Sequence, residues 1–215
     1  MKICVANFKA ELTLFEILEW LSEFKSIFRN KEEVQLILCP PTIYLPIFKK
    51  ELDNSMVSLG AQDISQYEVG KFTGEVTGKM VKDYAQYVLL GHSERRKYLK
   101  ESKEIIQHKI IQANKNALKV ILCLENPEDY QGQFYALAYE PTSAIGTGKP
   151  EDSVSSYAKM KNLRKGFLST VNYSLYGGSV ASDNVKEYTQ SGFSGVLVGK
   201  ASLTAQELVK IYWNL

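Results

Sequence analysis

Short runs of β-branched and apolar residues recur along the chain, and most are followed by a polar loop and a stretch with helical periodicity. The runs predict eight strands, at residues 2–7, 34–39, 57–61, 87–91, 120–124, 134–140, 170–176 and 195–199. Several are apolar without interruption, which is typical of strands covered on both faces. Apolar residues spaced three and four apart predict helices at residues 14–28, 102–117, 183–190 and 204–212. The chain therefore alternates between the two kinds of element.

This alternation predicts an α/β fold with a parallel sheet, either closed into a (β/α)8 barrel or doubly wound. One connection is short, because only about ten residues, beginning at Glu125, separate the fifth and sixth strands. A covering helix with its loops normally takes at least that many residues. We therefore expect this helix to be missing or reduced to a turn. Either a neighbouring helix then covers the wall, or apolar residues such as Phe134 and Tyr135 lie nearer the surface.

The bulk composition narrows the class of protein. The chain has 215 residues, is 45% hydrophobic and carries a formal net charge of +2. We expect residues 1–215 to form a single barrel domain, because single barrels occupy this size range. The balanced charge gives no sign of binding to nucleic acid or to a membrane surface. No apolar run approaches the roughly 18 residues of a membrane helix, and we see no secretory signal. We expect a cytoplasmic protein.

The three cysteines carry no metal or disulfide pattern. Cys4, Cys39 and Cys123 lie in apolar, strand-like runs, their number is odd, and none has a metal-ligand neighbour at a useful spacing. We expect three buried thiols in a reducing compartment, and no metal site.

Polar residues follow several predicted strands, where a barrel places its functional groups. Asn7 and Lys9 close the first strand, His92 follows the fourth, and Glu140 closes the sixth. Alone, each has an ordinary explanation, such as a solvated lysine, a capping histidine or a surface carboxylate. Together with glycine-containing turns after the seventh and eighth strands, they offer a base, an electrophile, a cation and an anion site on one rim. This set suits proton abstraction next to the carbonyl of a phosphorylated substrate.

Seven segments resemble the triosephosphate isomerase family and occur in that family's order. They read NFK at 7–9, FTGE at 72–75, GHSERR at 91–96, AYEP at 138–141, AIGTGK at 144–149, YGGSV at 176–180 and LVG at 197–199. The GHSERR segment, together with the two segments around residues 138–149, is the most specific part of the match. The resemblance spans nearly the whole chain.

The resemblance implies a cofactor-free enzyme that interconverts dihydroxyacetone phosphate and D-glyceraldehyde 3-phosphate through an enediolate. In that reaction Glu140 would move the proton between carbons 1 and 2. His92 would polarise the carbonyl, and Lys9 would neutralise the developing charge. Glu94 is similar to a carboxylate that pairs with the lysine. The substrate would also be held by Asn7 and by the backbone amides of Gly146, Ser179, Gly199 and Lys200.

The resemblance also implies a homodimer and a mobile lid. The loop from Gln62 to Glu75 would reach into a partner subunit. The lid, residues 141–149, would close over the phosphate, because an exposed enediolate phosphate would eliminate its phosphate group. No metal is implied.

The chain departs from the family's pattern at the lid. Thr142 and Ser143 stand where the family usually has a bulky pair, Glu125 and Asn126 replace a glycine and a glutamate, and Pro150 restricts the far hinge. Lys200 replaces the second glycine of the strand-eight pair. Our hypothesis is that the chemistry is intact but lid motion is altered. The alternative is a non-catalytic or lid-impaired phosphate-binding barrel. An aldolase would need a lysine inside a strand, and the strands contain none that faces the barrel.

Overall fold

Eight parallel strands close into a barrel in a computed structural model, which describes residues 1–53, 55–144, 146–167 and 171–215. Each strand pairs with the next in chain order, and the first pairs with the last. The strands are β1 (Lys2–Asn7), β2 (Val34–Cys39), β3 (Ser58–Ala61), β4 (Tyr87–Leu90), β5 (Lys119–Leu124), β6 (Phe134–Tyr139), β7 (Val171–Tyr176) and β8 (Gly195–Val198). The closed (β/α)8 architecture is confirmed over the doubly wound alternative. Strand ends differ from the predictions by one residue; the predicted start of β7, residue 170, lies outside the described residues.

Helices cover the outside of the barrel. They are α1 (Leu14–Ile27), α2 (Leu45–Leu52), α3 (Gly78–Lys82), α4 (Ser93–Tyr98), α5 (Lys103–Lys115), α6 (Ser153–Arg164), α7 (Val185–Ser191) and α8 (Ala205–Asn214). The four predicted helices are present, with ends shifted by no more than two residues. The pattern missed the other four. Of these, α3 and α4 are only five and six residues long, α2 follows a short 3-10 turn, and α6 has a buried face that includes Ser156 beside Met160 and Leu163. A face with so few apolar residues gives little periodic signal.

The connection between β5 and β6 contains no helix in residues 125–133, all of which the structure describes, so this expectation is confirmed. Phe167, in a 3-10 turn directly after α6, packs edge-on against Phe134, with ring centroids 5.2 Å apart. Tyr130, from the connection itself, is also buried. The wall is thus covered by the segment after a neighbouring helix, and Phe134 stays buried although its own helix is missing.

Polar aromatic side chains close the amino-terminal end of the barrel. The hydroxyl of Tyr135 donates to Gln35 Oε1 at 2.5 Å, and Gln35 Nε2 donates to the hydroxyl of Tyr87 at 2.6 Å. Tyr173 packs against Tyr135 with ring centroids 5.0 Å apart. Above this floor the barrel interior is filled by buried aliphatic residues of the strands. The filled interior leaves the carboxyl-terminal rim as the place for a site.

All three cysteines are buried and none forms a disulfide, as expected from the sequence. Burial raises the pKa of the Cys4 thiol to about 12 and raises the pKa of Cys39 as well, so both are neutral thiols within the core. Within the described residues, no helix combines the length and the apolarity required to cross a bilayer.

Barrel closure depends on a glycine at the start of β8. A Cβ atom at Gly195 would lie 1.8 Å from the carbonyl oxygen of Ile3 in β1, a backbone atom that cannot move without opening the β1–β8 pairing. We expect Gly195→Ala to lower the free energy of unfolding by at least the roughly 1–3 kcal/mol typical of overpacking. Denaturant unfolding measures this loss. Gly166→Ala is the control, because its added methyl would meet only ordinary contacts, the nearest at 3.7 Å. Equal stability of the two variants would contradict the role of Gly195 in closure.

Candidate active site

A cavity of about 800 Å³ opens at the carboxyl-terminal rim of the barrel. Its lining includes eight of the nine site residues predicted from the sequence, namely Asn7, Lys9, His92, Glu140, Gly146, Ser179, Gly199 and Lys200. The ninth, Glu94, lies beside the cavity and contacts Lys9. The rim therefore brings together residues that are up to 193 positions apart in the chain, from Asn7 to Lys200.

Lys9 is held by its own backbone as well as by its side chain. Its φ of 51° lies in the left-handed region, which is unusual for a residue with a Cβ. Asn7 Oδ1 accepts from the Lys9 amide at 3.0 Å, and Gln62 Nε2 donates to the Lys9 carbonyl at 2.9 Å. Two side chains thus stabilise a strained turn, and strain of this kind occurs often at functional sites.

The ammonium group of Lys9 pairs with Glu94 Oε1 at 2.5 Å. A Cβ atom on Gly199 would lie 3.4 Å from Lys9 Cε, so the lysine stem lies directly against the turn after β8. The pair is partly solvated, so its net contribution to stability is small. Its effect is to fix the position of the cation near the strand-eight turn.

His92 caps the start of α4 and contacts two glutamate residues. Its Nδ1 accepts from the Glu94 backbone amide at 3.2 Å, and its Nε2 lies 3.2 Å from Glu140 Oε1. Because a backbone N–H donates to Nδ1, the proton of the neutral ring is assigned to Nε2. The imidazole is therefore oriented to donate a hydrogen bond from Nε2 into the cavity.

Glu140 is buried at the end of β6. Its Oε2 accepts from the Ser93 amide at 2.9 Å, and its own amide donates to Leu124 O at 2.9 Å. A Cβ atom at Gly177 would lie 3.0 Å from Glu140 Cγ, so the turn after β7 passes close to the side chain of Glu140. Burial, reinforced by the adjacent Glu140 carboxylate, raises the pKa of the Cys123 thiol well above its usual value. Cys123 is therefore a neutral thiol beside Glu140.

The turns after β7 and β8 form the opposite side of the cavity. Ser179 has a φ of 44°, and its hydroxyl donates to the carbonyl of Ala144 in the lid. After β8, the hydroxyl of Ser202 lies within hydrogen-bond distance of Asn7 O, at 3.1 Å, and Gly199 O, at 2.7 Å. This buried serine therefore joins the end of β1 to the turn that holds Gly199 and Lys200. Backbone amides in such turns suit an anion such as a phosphate group.

Sequence reasoning missed several supporting residues. Gln62 was identified only as the start of the loop that ends at Glu75, and Ser202 was not identified. Ser93 and Cys123 were not assigned to the site. Their contacts are made by backbone atoms or across the barrel, and such contacts leave no periodic or motif signal. The one available signal in the sequence was position, because a polar residue just after a strand end lies near the rim.

The described residues contain no group of three or more His, Cys, Asp or Glu side chains that could hold a metal ion. The arrangement instead offers a carboxylate, an imidazole N–H, an ammonium group and backbone amides. These groups can move a proton, polarise a carbonyl, balance negative charge and hold an anion, respectively.

Comparison with known proteins gives a consistent result. The sequence model of the triosephosphate isomerase family matches residues 2–215. A triosephosphate isomerase of Dehalococcoides mccartyi is 34% identical over 238 aligned positions, which cover 97% of this chain and 94% of that protein. One of Mesomycoplasma hyopneumoniae is 33% identical, covering 99% of each chain. One of Hahella chejuensis is 38% identical over 208 positions, covering 83% of this chain and 84% of that protein.

The alignment with the Dehalococcoides protein is longer than the chain itself, at 238 positions against 215 residues. At least 23 positions of that relative (238 − 215) are therefore absent here. The match over almost the whole length, with the barrel and its rim, shows that this chain belongs to the triosephosphate isomerase family.

Proposed function

We propose that this chain interconverts dihydroxyacetone phosphate and D-glyceraldehyde 3-phosphate by proton transfer through an enediolate. The observation that carries the proposal is that Glu140 Oε1 lies 3.2 Å from His92 Nε2, within a cavity that Lys9 also lines. The family of the chain supports the same reaction. Proton abstraction next to a carbonyl needs a base and an electrophile within reach of the same substrate.

In this proposal Glu140 removes a proton from carbon 1 or carbon 2 of the substrate and returns it to the other carbon. The Nε2–H of His92, which faces Glu140 in the free protein, donates to the substrate oxygens once the substrate lies between them. The ammonium group of Lys9 offsets the negative charge of the enediolate, with Glu94 holding it in place. Because this ammonium group is already in place before the reaction, the site needs little rearrangement when negative charge develops on the substrate.

The substrate's phosphate group is assigned to the side of the cavity formed by the lid and the last two strands. There the amides of Gly146, Ser179, Gly199 and Lys200 would donate to its oxygens, and Asn7 would help to place the substrate. All five residues line the cavity. Residues 1–215 would act as one catalytic domain, because strands from Lys2 to Val198 contribute to the same closed barrel.

We also propose a homodimer through the loop from Gln62 to Glu75. At the tip of the loop the rings of Tyr67 and Phe72 stack with centroids 4.2 Å apart. Val69, which lies between these two residues in the sequence, is 60% exposed. At its base Asp63 pairs with Arg95 of α4 at 2.8 Å. The loop therefore exposes apolar side chains at its tip and is held to α4 at its base.

Further apolar side chains are exposed on the segments that follow β1 to β4, which lie side by side around this half of the barrel: Leu14, Phe15, Leu18, Ile43, Val76, Met80, Tyr84, Tyr98 and Leu99. Exposed apolar residues that cluster in this way mark protein–protein contact surfaces. A second copy of the chain, with the same loop and the same face, is the partner we propose. Three buried and unpaired thiols support a reducing compartment, and we propose the cytoplasm.

The assignment of the base is tested by Glu140→Gln. This change keeps the shape of the side chain but removes the proton acceptor, so we expect kcat/KM for glyceraldehyde 3-phosphate to fall by about 10³-fold or more. A coupled assay measures the rate, and a phosphate-bearing inhibitor measures binding, which we expect to stay within a few-fold of wild type. Glu187→Gln is the matched control, because it removes a carboxylate from the lining of the same cavity.

If Glu140→Gln stays fully active, the base lies elsewhere. If the folded wild-type chain binds the inhibitor but converts no substrate, the protein is a phosphate-binding barrel and the proposed activity is wrong.

The role of Lys200 is tested by Lys200→Gly. The side chain is exposed, and the proposed contact with phosphate uses its backbone amide. We therefore expect KM to change by less than about threefold, because glycine keeps the N–H group. An increase in KM well beyond this range, together with a weaker dependence of KM on ionic strength than in wild type, would show that the ammonium group itself binds the phosphate.

The proposed dimer is tested by Val69→Asp. A carboxylate at the loop tip would have to be buried against the partner, which is costly without a compensating charge. We expect wild type to sediment at twice the mass of one chain and the variant to sediment largely as a monomer. Val154→Asp on α6 is the matched control, because Val154 is also largely exposed, at 70%, but belongs to a helix outside the β1–β4 half of the barrel. A wild-type monomer at micromolar concentration would rule out a stable dimer.

A further inference from the structure

The two ends of the lid are held in different ways. The far end runs into Glu151, whose backbone amide donates to the hydroxyl of Tyr176 at 2.9 Å and whose carbonyl accepts from Tyr188 at 2.7 Å. The carboxylate of Glu151 also accepts from Tyr139 at 2.9 Å and from Ser156 at 3.0 Å. The far end is thus joined to β6, β7, α6 and α7 at once, and losing any one of these contacts leaves the others.

The near end depends on a single side chain. Glu125 Oε1 accepts from the amide of Thr142 at 2.9 Å and from its hydroxyl at 2.8 Å. Within the described residues, no other side chain forms a hydrogen bond to residues 141–143. Since Thr142 comes two residues after Glu140, this bond fixes the direction in which the chain leaves the proposed base.

The position of Glu125 follows from the strand pairing. β5 ends at Leu124, whose carbonyl accepts from the amide of Glu140 at 2.9 Å, so Glu125 is the first residue beyond the last backbone bond between β5 and β6. The Glu125–Thr142 bond therefore extends the β5–β6 ladder by one step, through a side chain instead of the backbone.

Packing does not replace this bond. A groove of about 600 Å³ lies beside the hinge and is lined by Glu125, Thr142, Ser143 and the outer side of Glu140, among others. Ser143 is exposed and too small to fill it. Pro141 and Ala144 are buried, but Thr142 and Ser143 between them are exposed. At these two residues the bond to the Glu125 carboxylate is therefore the main restraint.

We propose that Glu125 is a positioning residue for the isomerisation: it holds the first hinge of the lid, and through it the carboxylate of Glu140. This role rests on the proposed function. Without the bond, residues 141–143 can move into the groove, Glu140 loses its fixed approach to His92, and the lid closes less completely over the enediolate.

Incomplete closure has a chemical consequence that can be measured. In an enediolate phosphate open to water, the electron pair of the enediolate expels the phosphate group from carbon 3, and the carbon–oxygen bond breaks. Inorganic phosphate leaves, and the remaining enol takes up a proton at carbon 3 and releases its hydroxyl proton to water, which gives methylglyoxal. A residue that affects only overall stability would not change the ratio of phosphate released to substrate isomerised.

The experiment compares Glu125→Ala with Asp129→Asn in the full chain. Asp129 lies in the same β5–β6 connection, is exposed, and makes no hydrogen bond to the lid residues that the structure describes, so the control removes a negative charge without touching the hinge. For Glu125→Ala we expect kcat to fall roughly tenfold, which is the effect of losing about one charge-assisted hydrogen bond. We expect the phosphate-release ratio to rise by a similar factor, with KM changing less than about threefold. Asp129→Asn should match wild type in all three quantities.

Two milder variants test the hinge even if Glu125→Ala fails to fold. Thr142→Ala removes one of the two donors and keeps the amide, and Glu125→Gln keeps an acceptor oxygen but loses the charge. Both should change the phosphate-release ratio in the same direction as Glu125→Ala but by a smaller factor. If all three variants match the control in kcat and in phosphate release, the positioning role is wrong.

Hydrogen exchange of the lid separates this inference from the proposed function. We expect amides of residues 142–144 to exchange at least several-fold faster in Glu125→Ala than in wild type, while the amide of Glu151, held by Tyr176, is unchanged. If wild type lacks isomerase activity but this difference is present, the reaction assignment fails and the restraint on the hinge stands. If wild type is active and the exchange is unchanged, the reaction stands and the restraint fails.

Discussion

The pairing of β1 with β8 is the constraint on which the rest of the structure depends. It is possible because Gly195 lets the backbone of β8 approach Ile3 more closely than any side chain would permit. Closure fixes the eight strands in a ring, and in a ring of parallel strands all carboxyl ends point to one rim. Residues as distant in the chain as Asn7 and Gly199 thereby line one cavity.

On this rim, hydrogen bonds fix the position or orientation of each functional group. The amide of Glu94 sets the orientation of His92, and the amide of Ser93 holds the carboxylate of Glu140. Gln62 and Asn7 together hold Lys9 in a backbone conformation that it would not adopt alone. Groups held in this way need little rearrangement when charge develops on a substrate, which is the physical basis of catalysis by preorganisation.

The lid shows how a shortened member of the family can keep its hinge in place. The connection from β5 to β6 has no helix, and Glu125 comes directly after the strand with no intervening turn. From there its carboxylate reaches Thr142. A charged hydrogen bond can replace packing at an exposed position because it is directional and tolerates water nearby, whereas a small side chain such as Ser143 has too little apolar surface to hold a hinge. The far hinge, around Glu151, instead combines several hydrogen bonds with stacked tyrosines.

The sequence by itself determined the class of fold, the eight strands to within a residue, the shortened β5–β6 connection and the identity of the rim residues, because periodicity and motifs are local properties. The alternation of strands and helices alone left open whether the sheet closes, and the sequence did not show which segment covers β6 or how the lid is held. Those depend on contacts between distant segments, such as Phe167 on Phe134 and Glu125 on Thr142, and on the close approach at Gly195. Tertiary structure decided them because the backbone and side-chain groups that form these contacts meet only after the barrel has closed.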